Sequence, residues 1–347
     1  MGYFSSFFFQ QFYYNGSAIF YYYVMILDLI IVGFGPAGVA ASIYASRYKL
    51  SHMVFGKLPG GLISTSHLVD NYPGLEEVSG FELGEKYLHH VQKFNPEGVK
   101  MNLVRSIEKM EDGNFQVKDS AGDTYYAKSV LLALGTKYRR LGIPGEDTFE
   151  GKGVTWCATC DAFFYRQKDV VVLGGGDSAL EAAYLLASIA KNVYVVHRRN
   201  EFRAEPTWVD MTKAFPNVHF VMDNEVLEIQ GTEKVTAITL KNSWNGEDLI
   251  RGGSSSVERL DEMRIPVDGV FVEIGSDPIV DLPESLGVEL DETHYVKVSA
   301  DQSTNVPGVY AAGDFTTGSN KFRQVLPAMS EGVVAVNAIY NYVSKKG

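Results

Sequence analysis

Two glycine-rich turns constrain the fold of this chain more than any other feature, because each lies between an apolar strand and a helix of small residues. The first, at 33–38, follows the apolar run 26–32 and reads G-x-G-x-x-G. The second, at 174–179, follows the run 170–173 and reads G-x-G-x-x-A. In such a turn the glycines permit a tight bend and close approach of the backbone to a pyrophosphate. Each turn therefore predicts a βαβ unit that holds a dinucleotide with its phosphates at the helix N-terminus.

The strands that follow the two turns end differently, and this difference predicts different nucleotides. The strand at 192–196 ends in a cation cluster: His197, Arg198, Arg199 and Arg203. An acidic residue there would hold the 2′-hydroxyl of NAD, whereas cations suit the 2′-phosphate of NADP, which arginine binds through two hydrogen bonds. A solvated basic tip is the alternative interpretation. The strand at 52–55 ends at Gly56 and Lys57, so the first turn lacks the acid expected to hold a ribose.

The only two cysteines of the 347 residues, Cys157 and Cys160, form a C-x-x-C pair just before the second turn. Zinc and iron–sulfur sites usually need four ligands, and the seven histidines show no ligand spacing near this pair. A structural disulfide that closes so short a loop contributes little stability. The pair therefore predicts a reversible dithiol. Asp161 follows directly and is a candidate proton shuttle, with a helix cap or a surface carboxylate as the alternative.

Composition indicates a globular protein of about two domains. Hydrophobic residues make up 46% and charged residues 21% of the chain, which is ample for two cores. The net charge of −11 and the pI near 5.2 argue against a nucleic-acid partner, whose binding needs Lys and Arg to neutralise phosphates. Two cysteines spaced for exchange suit a reducing cytoplasm.

The first 24 residues differ from the rest, since they hold twelve Phe or Tyr residues and no charge appears before Asp28. A secretory signal would need a basic region and a small-residue cleavage site, and neither is present. Gln10, Gln11 and Asn15 interrupt the apolar run, which has no basic flank, so a membrane-spanning helix is not predicted. We expect Met25 to begin the functional protein and residues 1–24 to be a dispensable extension. A membrane-tethered form is the alternative.

Between and beyond the turns, apolar periodicity and turn residues predict further elements. They are an antiparallel β insert around 115–118 and 125–127, a buried strand at 129–134, a linker at 137–145, a β meander from 218 to 240, a polar loop through 256, an apolar run at 269–275, a strand at 308–314 and a closing helix at 326–343.

Together these motifs resemble the low-molecular-weight thioredoxin reductases of the two-dinucleotide-binding-domain flavoprotein superfamily. The resemblance runs from Met25 to the C-terminus and is most specific in the C-A-T-C-D run at 157–161, the cation cluster and the A-A-G-D run at 311–314. Glutathione-reductase-type relatives carry their dithiol in the first domain with wider spacing. The resemblance implies an α/β fold of two Rossmann-like dinucleotide-binding domains of the three-layer ββα type, the second inserted into the first. The implied boundaries are 25–139 with 271–347 for the FAD domain and 140–270 for the NADPH domain, after the extension at 1–24.

The resemblance also implies the residues that contact each cofactor, and no metal. Those implied for FAD are Gly33, Gly35, Pro36, Ala37, Gly38, Gly61, Asn71, Gly313, Asp314, Arg323 and Gln324. Those implied for NADPH are Gly174, Gly176, Asp177, Ser178, His197, Arg198, Arg199 and Arg203. The chain departs from the family at Leu62, where a glutamine is usual and a flavin hydrogen bond is therefore lost, and at Leu134, where a threonine is usual. Asn71 as a turn cap and Arg323 as the partner of a surface carboxylate are alternatives.

The resemblance implies a route for electrons from NADPH through the flavin to the Cys157–Cys160 disulfide. Cys160, beside Asp161, would face the flavin, and Cys157 would attack the disulfide of thioredoxin or a thioredoxin-like small redox protein. The second domain would rotate on linkers near 136–144 and 267–270, and the chain would form a homodimer. Alternative partners are a glutaredoxin-like carrier, a peroxiredoxin system, or ferredoxin or flavodoxin. A non-catalytic redox sensor or flavin-dependent binding module is a further alternative.

Overall fold

The computed structural model describes residues 7–14, 17–242, 247–248, 253–254 and 264–345. Its strands are β1 (Phe7–Tyr14), β2 (Ser17–Val24), β3 (Ile26–Leu27), β4 (Leu29–Val32), β5 (His52–Phe55), β6 (Val99–Lys100), β7 (Val104–Lys109), β8 (Phe115–Asp119), β9 (Thr124–Ala127), β10 (Val130–Leu132), β11 (Thr136–Tyr138), β12 (Val154–Thr155), β13 (Asp169–Leu173), β14 (Asn192–Val196), β15 (Val218–Val221), β16 (Val226–Gly231), β17 (Val235–Leu240), β18 (Glu247–Asp248), β19 (Gly253–Ser254), β20 (Arg264–Pro266), β21 (Gly269–Val272), β22 (Ser276–Pro278) and β23 (Val309–Ala311).

The α-helices are α1 (Pro36–Arg47), α2 (Gly80–Phe94), α3 (Ala158–Asp161), α4 (Asp177–Ala187), α5 (Pro206–Lys213), α6 (Asp281–Ser285) and α7 (Val325–Ser344). Three short 3-10 helices span Gly61–Thr65, Ala162–Tyr165 and Gly318–Lys321. The chain divides into two compact units. Within the described residues, the first contains the chain up to Ser64, Asp70–Thr136 and everything from Pro278 onward, and the second contains Thr65–Val69 and Lys137–Asp277.

The first unit is built on a parallel sheet in the order β23-β10-β4-β5-β6. Alternation along β4 places Ile30 and Val32 in a core shared with the antiparallel strands β8 and β9. Ile31 points to the opposite face, where it approaches Gly38 of α1. Helices α1 and α7 pack closely, because a Cβ on Gly332 would come within 2.2 Å of the carbonyl oxygen of Ala37. Helices, a parallel sheet and an antiparallel sheet thus form three layers.

The predicted single strand at 26–32 is wrong, because the chain changes sheet at Asp28. β3 pairs in parallel with β9, at the edge of the sheet whose other strands, β9, β8 and β7, are antiparallel. β4 pairs with β5 and β10 in the parallel sheet. At the break the Asp28 carboxylate accepts hydrogen bonds from the Ser51 N–H (3.0 Å) and hydroxyl (2.8 Å), and it forms an ion pair with Lys128 (2.8 Å). These partners satisfy a charged group in the middle of an apolar run.

The second unit repeats the three-layer plan around a parallel sheet in the order β12-β21-β13-β14-β15. Along β13, Val170 and Val172 face the core under α4, while Val171 and Leu173 face the core under the antiparallel strands. The predicted meander at 218–240 is wrong in its first part, because β15 runs parallel to β14. Every residue of β15 is buried, as expected for a strand covered on both faces. Only β16 and β17, with β20, form the antiparallel sheet.

The remaining elements lie at the chain start and at the crossings between the units. β1 and β2 form an antiparallel hairpin in which Phe7 pairs with Val24 and Tyr14 with Ser17. No helix within the described ranges is long and apolar enough to cross a bilayer. The chain leaves the first unit through β11 and returns to it through β22, and these two strands pair with each other. The predicted polar loop through 256 lies mostly outside the described residues.

Candidate active site

The two cysteines lie just beyond β12, at one edge of the parallel sheet of the second unit. Cys157 is the N-cap of the single-turn helix α3, and Cys160 lies within that turn. They form a disulfide with Cα atoms 5.3 Å apart, and the N–H of Cys160 donates to the Cys157 sulfur (3.2 Å). One turn of helix therefore brings together the two sulfurs that the C-x-x-C spacing predicted.

Asp161 is held next to this disulfide by a hydroxyl group. The Thr155 hydroxyl donates to an Asp161 carboxylate oxygen (2.5 Å) and accepts from the Cys157 N–H (3.2 Å). The N–H of Asp161 donates to the Cys157 carbonyl oxygen (3.2 Å). The carboxylate thus has a fixed orientation beside the sulfur pair, which suits a group that takes up or delivers a proton.

The second glycine turn has the geometry expected for phosphate binding. Gly174 has a φ of +144°, and a Cβ there would come within 2.1 Å of the Glu273 carbonyl oxygen, so only glycine fits. Helix α4 begins after Gly176 without a side-chain cap, and no atom lies within 4 Å of a Cβ built on Gly176. Asp177 accepts from the N–H of Glu205 (2.7 Å). Uncapped amides that open onto free space can bind an anion.

The cation cluster surrounds this turn at the end of β14. His197 is buried against Gly175 and Phe202, and burial lowers its pKa, with further lowering by the three nearby arginines. The N–H of Arg203 donates to the carbonyl oxygen of Gly175 (2.7 Å). The guanidinium groups are exposed and form no hydrogen bond or ion pair with the described residues: Arg198, Arg199 and Arg203. A neutral imidazole therefore supports three cations that are available to an anion.

The first glycine turn has the same construction. Gly33 has a φ of +125°, and a Cβ there would come within 1.9 Å of the Ala133 carbonyl oxygen. A Cβ on Gly38 would collide with the Gly33 carbonyl oxygen at 1.9 Å, which shows why the third glycine is needed for helix packing. Helix α1 begins after Gly35 with Pro36 in its first turn and no side-chain cap. Gly61 lies beside this N-terminus, with Gly35 Cα 3.1 Å from its Cβ position.

A half-buried carboxyl group lies at the end of β23, in the first unit. Asp314 makes no hydrogen bond within the part of the chain described, and burial raises its pKa to about 6 although Arg323 acts in the opposite direction. Its neighbour Gly313 donates its N–H to Glu331 (2.7 Å). A partly buried carboxyl without a partner is expected to bind a hydroxyl or amide of a ligand.

Three further residues implied for the first site lie near the start of α7. The Asn71 amide donates to the side-chain oxygen of Gln324 (3.1 Å), the N-cap of α7. Arg323 stacks on the ring of Tyr295 at 4.6 Å and donates to its hydroxyl. The alternative in which Arg323 pairs with a surface carboxylate therefore has no support among the described residues. The structure brings Asn71 and Gln324 together, and it holds Arg323 on Tyr295.

Comparison with known proteins places these two units in a family. The Pyridine nucleotide-disulphide oxidoreductase family matches residues 27–332. The chain belongs to this family.

Among its relatives, the thioredoxin reductase of Mycolicibacterium smegmatis is 38% identical over 311 residues, which cover 89% of this chain and 94% of the relative. The thioredoxin reductase of Bacillus subtilis (strain 168) is 35% identical over 324 residues, covering 92% and 96%. The solved structure of T. acidophilum thioredoxin reductase superposes with a TM-score of 0.79 at 35% identity, covering 91% of this chain and 98% of that one. That of Lactococcus lactis thioredoxin reductase in the FR conformation gives 0.80 at 29% identity, covering 92% and 99%.

Membership confirms the fold class predicted from the sequence, an α/β protein with two Rossmann-like units. It also confirms a flavoprotein disulfide oxidoreductase of the thioredoxin reductase type. FAD and NADPH are the cofactors of this family. The residue-by-residue contacts and the domain boundaries stay predictions.

The residues of this oxidoreductase fit both cofactors. In the first unit, the uncapped α1 N-terminus could hold a pyrophosphate, and Asp314, which has no hydrogen-bond partner among the described residues, could hold hydroxyl groups of FAD. In the second unit, the α4 N-terminus and the three guanidinium groups, which pair with no residue that the structure describes, match the phosphates of NADPH.

Sequence reasoning missed several residues near the dithiol. Thr155 carries no motif, although a hydroxyl two residues before a C-x-x-C is a signal that could have been used. Phe163 and Phe164 lie three and four residues after Cys160, and both side chains are 70% exposed. The Arg166 guanidinium lies over the Phe163 ring at 5.2 Å. Two adjacent exposed phenylalanines form an apolar surface that a protein partner would cover.

Proposed function

We propose that this oxidoreductase is a thioredoxin-disulfide reductase that passes electrons from NADPH through FAD to the Cys157–Cys160 disulfide and on to a thioredoxin-like protein. The observation that carries the proposal is the disulfide itself, which lies in the same unit as the second nucleotide turn. Bound FAD supplies the chemistry that accepts a hydride from NADPH and delivers two electrons to the disulfide.

The chain's own residues then complete the exchange. Reduction breaks the Cys157–Cys160 bond and leaves two thiols. The thiolate of Cys157 attacks the partner's disulfide and forms a mixed disulfide, and Cys160 displaces the reduced partner as the bond between the two cysteines reforms. Asp161, oriented by Thr155, takes the proton from the attacking Cys160 thiol and delivers a proton to the departing thiolate of the partner.

A thioredoxin-like acceptor is supported by the surface next to the dithiol. Phe163 and Phe164 are exposed six and seven residues after Cys157, and apolar side chains beside a reactive disulfide favour a protein partner over a small polar disulfide. The partner would cover both rings while its own disulfide reaches Cys157.

NADPH is assigned to the second unit and FAD to the first. Gly174, Gly176 and Ser178 would hold the pyrophosphate of NADPH, with Asp177 bracing the adjoining loop, and the cation cluster its 2′-phosphate. FAD would lie at the first turn, against Gly61 and the turn residues Gly33, Gly35, Pro36, Ala37 and Gly38. Asn71, Arg323 and Gln324 would lie near the flavin end, and Gly313 and Asp314 at the ribityl or pyrophosphate region. Support comes from the uncapped helices and from Asp314, which has no hydrogen-bond partner among the described residues.

Five finer assignments belong to this proposal: the domain boundaries, the rotation of the second domain, the cytoplasmic location, the homodimer and the dispensable extension. The boundaries at 25–139 with 271–347 and at 140–270 define the two domains, and the second rotates on its linkers so that the nicotinamide and the dithiol take turns at the flavin. The enzyme works in the cytoplasm as a homodimer without the 1–24 extension. Light scattering of full-length protein and of protein starting at Met25 would test the dimer and the extension together.

The function is tested by following NADPH oxidation by the flavin-loaded enzyme with different acceptors. We expect rapid turnover with oxidised thioredoxin and little with glutathione disulfide or with oxidised ferredoxin. Turnover with ferredoxin that persisted in Cys160→Ser would instead support a reductase that does not use the dithiol. Absence of turnover with every protein disulfide would contradict the proposal.

A further inference from the structure

The second unit contains a pair of acidic side chains beside its nucleotide turn that the proposed function leaves unused. Glu273 is the first residue after β21, where its N–H donates to the Leu173 carbonyl oxygen (2.8 Å). Its own carbonyl oxygen packs on Gly174. Glu181 lies on α4, the helix that the turn opens. Both acids are therefore held at the carboxyl end of the parallel sheet.

The two carboxyl groups differ in their hydrogen bonds. Glu181 accepts from the N–H of His67 (2.6 Å), the N–H of Leu68 (3.2 Å) and the hydroxyl of Ser66 (3.2 Å). The side chain of Glu273 has no hydrogen bond or ion pair with any described residue. Burial raises the pKa of Glu273 well above its ordinary value, and the charge of Glu181 raises it further. Among the described residues, three donors therefore stabilise the charged form of Glu181, whereas no donor stabilises the charged form of Glu273.

The other groups around the pair add no positive charge. Burial raises the pKa of Tyr138 on β11, and the charges of Glu273 and Glu181 act in the same direction, so its phenol stays neutral. Burial also raises the pKa of Glu181, and the negative charge of Asp177 adds to this effect. Within the described ranges no lysine or arginine pairs with Glu181 or Glu273. The charged groups that act on Glu273 and Glu181 are therefore acidic: Glu181 acts on Glu273, and Asp177 acts on Glu181.

The position of Glu273 relates it to one end of a dinucleotide. Ligands of open parallel sheets bind at the carboxyl edge, where the strand order reverses. In this sheet the reversal lies between β13, which leads into Gly174, and β21, which leads into Glu273. If the 2′-phosphate lies at the cation cluster past β14 and the pyrophosphate at α4, the ring end of the nucleotide would lie toward β21.

We propose that Glu273 is a specificity residue for the redox state of the nicotinamide: it keeps its proton beside the neutral reduced ring and releases that proton when the cationic oxidised ring binds. The ionised carboxylate then stabilises the positive ring. Binding of NADP⁺ is accordingly coupled to proton release, and binding of NADPH is not. The inference rests on the assignment of NADPH to the second unit.

The test is isothermal titration calorimetry of the flavin-loaded enzyme at neutral pH, in buffers of different ionisation enthalpy. The ligands are NADP⁺ and 2′-phospho-ADP-ribose, which has the same phosphates without the nicotinamide. We expect NADP⁺ to release on the order of one proton more than 2′-phospho-ADP-ribose does. Glu273→Gln should abolish this difference and weaken NADP⁺ binding roughly tenfold, with 2′-phospho-ADP-ribose unchanged.

Glu233→Gln, which changes an exposed acid in the β16–β17 turn, is the matched control and should behave like the wild type. Unchanged binding of 2′-phospho-ADP-ribose by Glu273→Gln shows that the variant is folded. Equal proton release by both ligands in the wild type, or unchanged NADP⁺ affinity in Glu273→Gln, would overturn the role of Glu273. Failure of both ligands to bind the wild type would overturn the assignment of NADPH to the second unit. This outcome differs from the two results that would overturn the role of Glu273 alone.

Discussion

The two nucleotide turns of this chain are nearly identical in construction and differ in what surrounds them. Both place a left-handed glycine against a carbonyl oxygen, at Gly33 and Gly174, and both open an uncapped helix. Past the following strand, however, the first unit presents Gly56 and Lys57, whereas the second presents three exposed arginines. Under the proposed assignment, the shared turn would bind phosphate in both units, and the residues after the next strand would select the cofactor.

The dithiol is the largest difference between the two units, because only the second carries cysteines. We expect Cys160→Ser to lower NADPH-driven reduction of a thioredoxin disulfide by roughly 1000-fold or more, since the exchange needs both sulfurs. Reduction of the flavin by NADPH should stay near the wild-type rate in a stopped-flow measurement. If Cys160→Ser still passed electrons from NADPH to the partner disulfide, the dithiol would not be an electron carrier in this enzyme.

The role of the cations that follow β14 and β5 in selecting the cofactor is tested by replacing them with alanine in each unit. The double variant Arg198→Ala with Arg199→Ala should lower kcat/KM for NADPH about 100-fold, because each charge-assisted bond to phosphate contributes roughly 1.5–3 kcal/mol. The value for NADH should barely change. Lys57→Ala, the matched change after the first turn, should leave both unchanged, and equal effects of the two changes would contradict the assignment of NADPH to the second unit.

The turns themselves are tested by placing a methyl group in each. Gly33→Ala and Gly174→Ala each force a left-handed alanine against a carbonyl oxygen at about 2 Å, which should cost roughly 2–4 kcal/mol of local stability. We expect Gly33→Ala to lose FAD on gel filtration while it still binds 2′,5′-ADP, and Gly174→Ala to do the reverse. Loss of both ligands from both variants would mean that the turns are not separate sites.

The second unit carries two adjacent exposed phenylalanines close to the dithiol, Phe163 and Phe164. Phe163→Ala with Phe164→Ala should raise KM for thioredoxin about tenfold without changing kcat for a small artificial disulfide, since two apolar contacts to the partner are lost. Phe81→Ala, which removes a 68% exposed ring from α2 of the first unit, is the control and should have no effect. Steady-state kinetics with both variants decides the point, and a larger effect of Phe81→Ala would place the partner's contact on the first unit.

Asp314, at the end of β23 in the first unit, gives the smallest expected effect. Its pKa in the folded protein is about 6 against an ordinary 3.8, so ionisation destabilises the flavin-free fold above that range. Asp314→Asn should therefore unfold at higher urea than wild type at pH above about 6, by up to about 2 kcal/mol, and this advantage should vanish as pH falls below about 4. A stability advantage of Asp314→Asn that is the same at every pH would contradict the raised pKa of the Asp314 carboxyl group.

Much of this organisation could be predicted from local sequence, because glycine turns, apolar runs and a C-x-x-C pair act through near neighbours. The strand at 192–196 and the helix following each turn were found in this way. The break at Asp28 could not be predicted, since it depends on Ser51 and Lys128, which only the fold brings near. The placement of β15 in the parallel sheet likewise depends on a neighbour chosen by tertiary packing.

The candidate site divides in the same way. Cys157, Cys160 and the cation cluster are recognisable because their chemistry is tied to spacing or to a strand end. Thr155 and Glu273 are not, because a threonine and a glutamate have many uses and acquire these roles only through Asp161 and Glu181. Residues that act through a partner distant in the chain need the structure.

The electron route is tested most directly by anaerobic titration of the purified enzyme with NADPH, in which flavin absorbance and free thiols are recorded together. We expect the flavin to bleach and two thiols per chain to appear, those of Cys157 and Cys160. Flavin that bleaches while no thiol appears, or protein that binds no FAD at all, would contradict it.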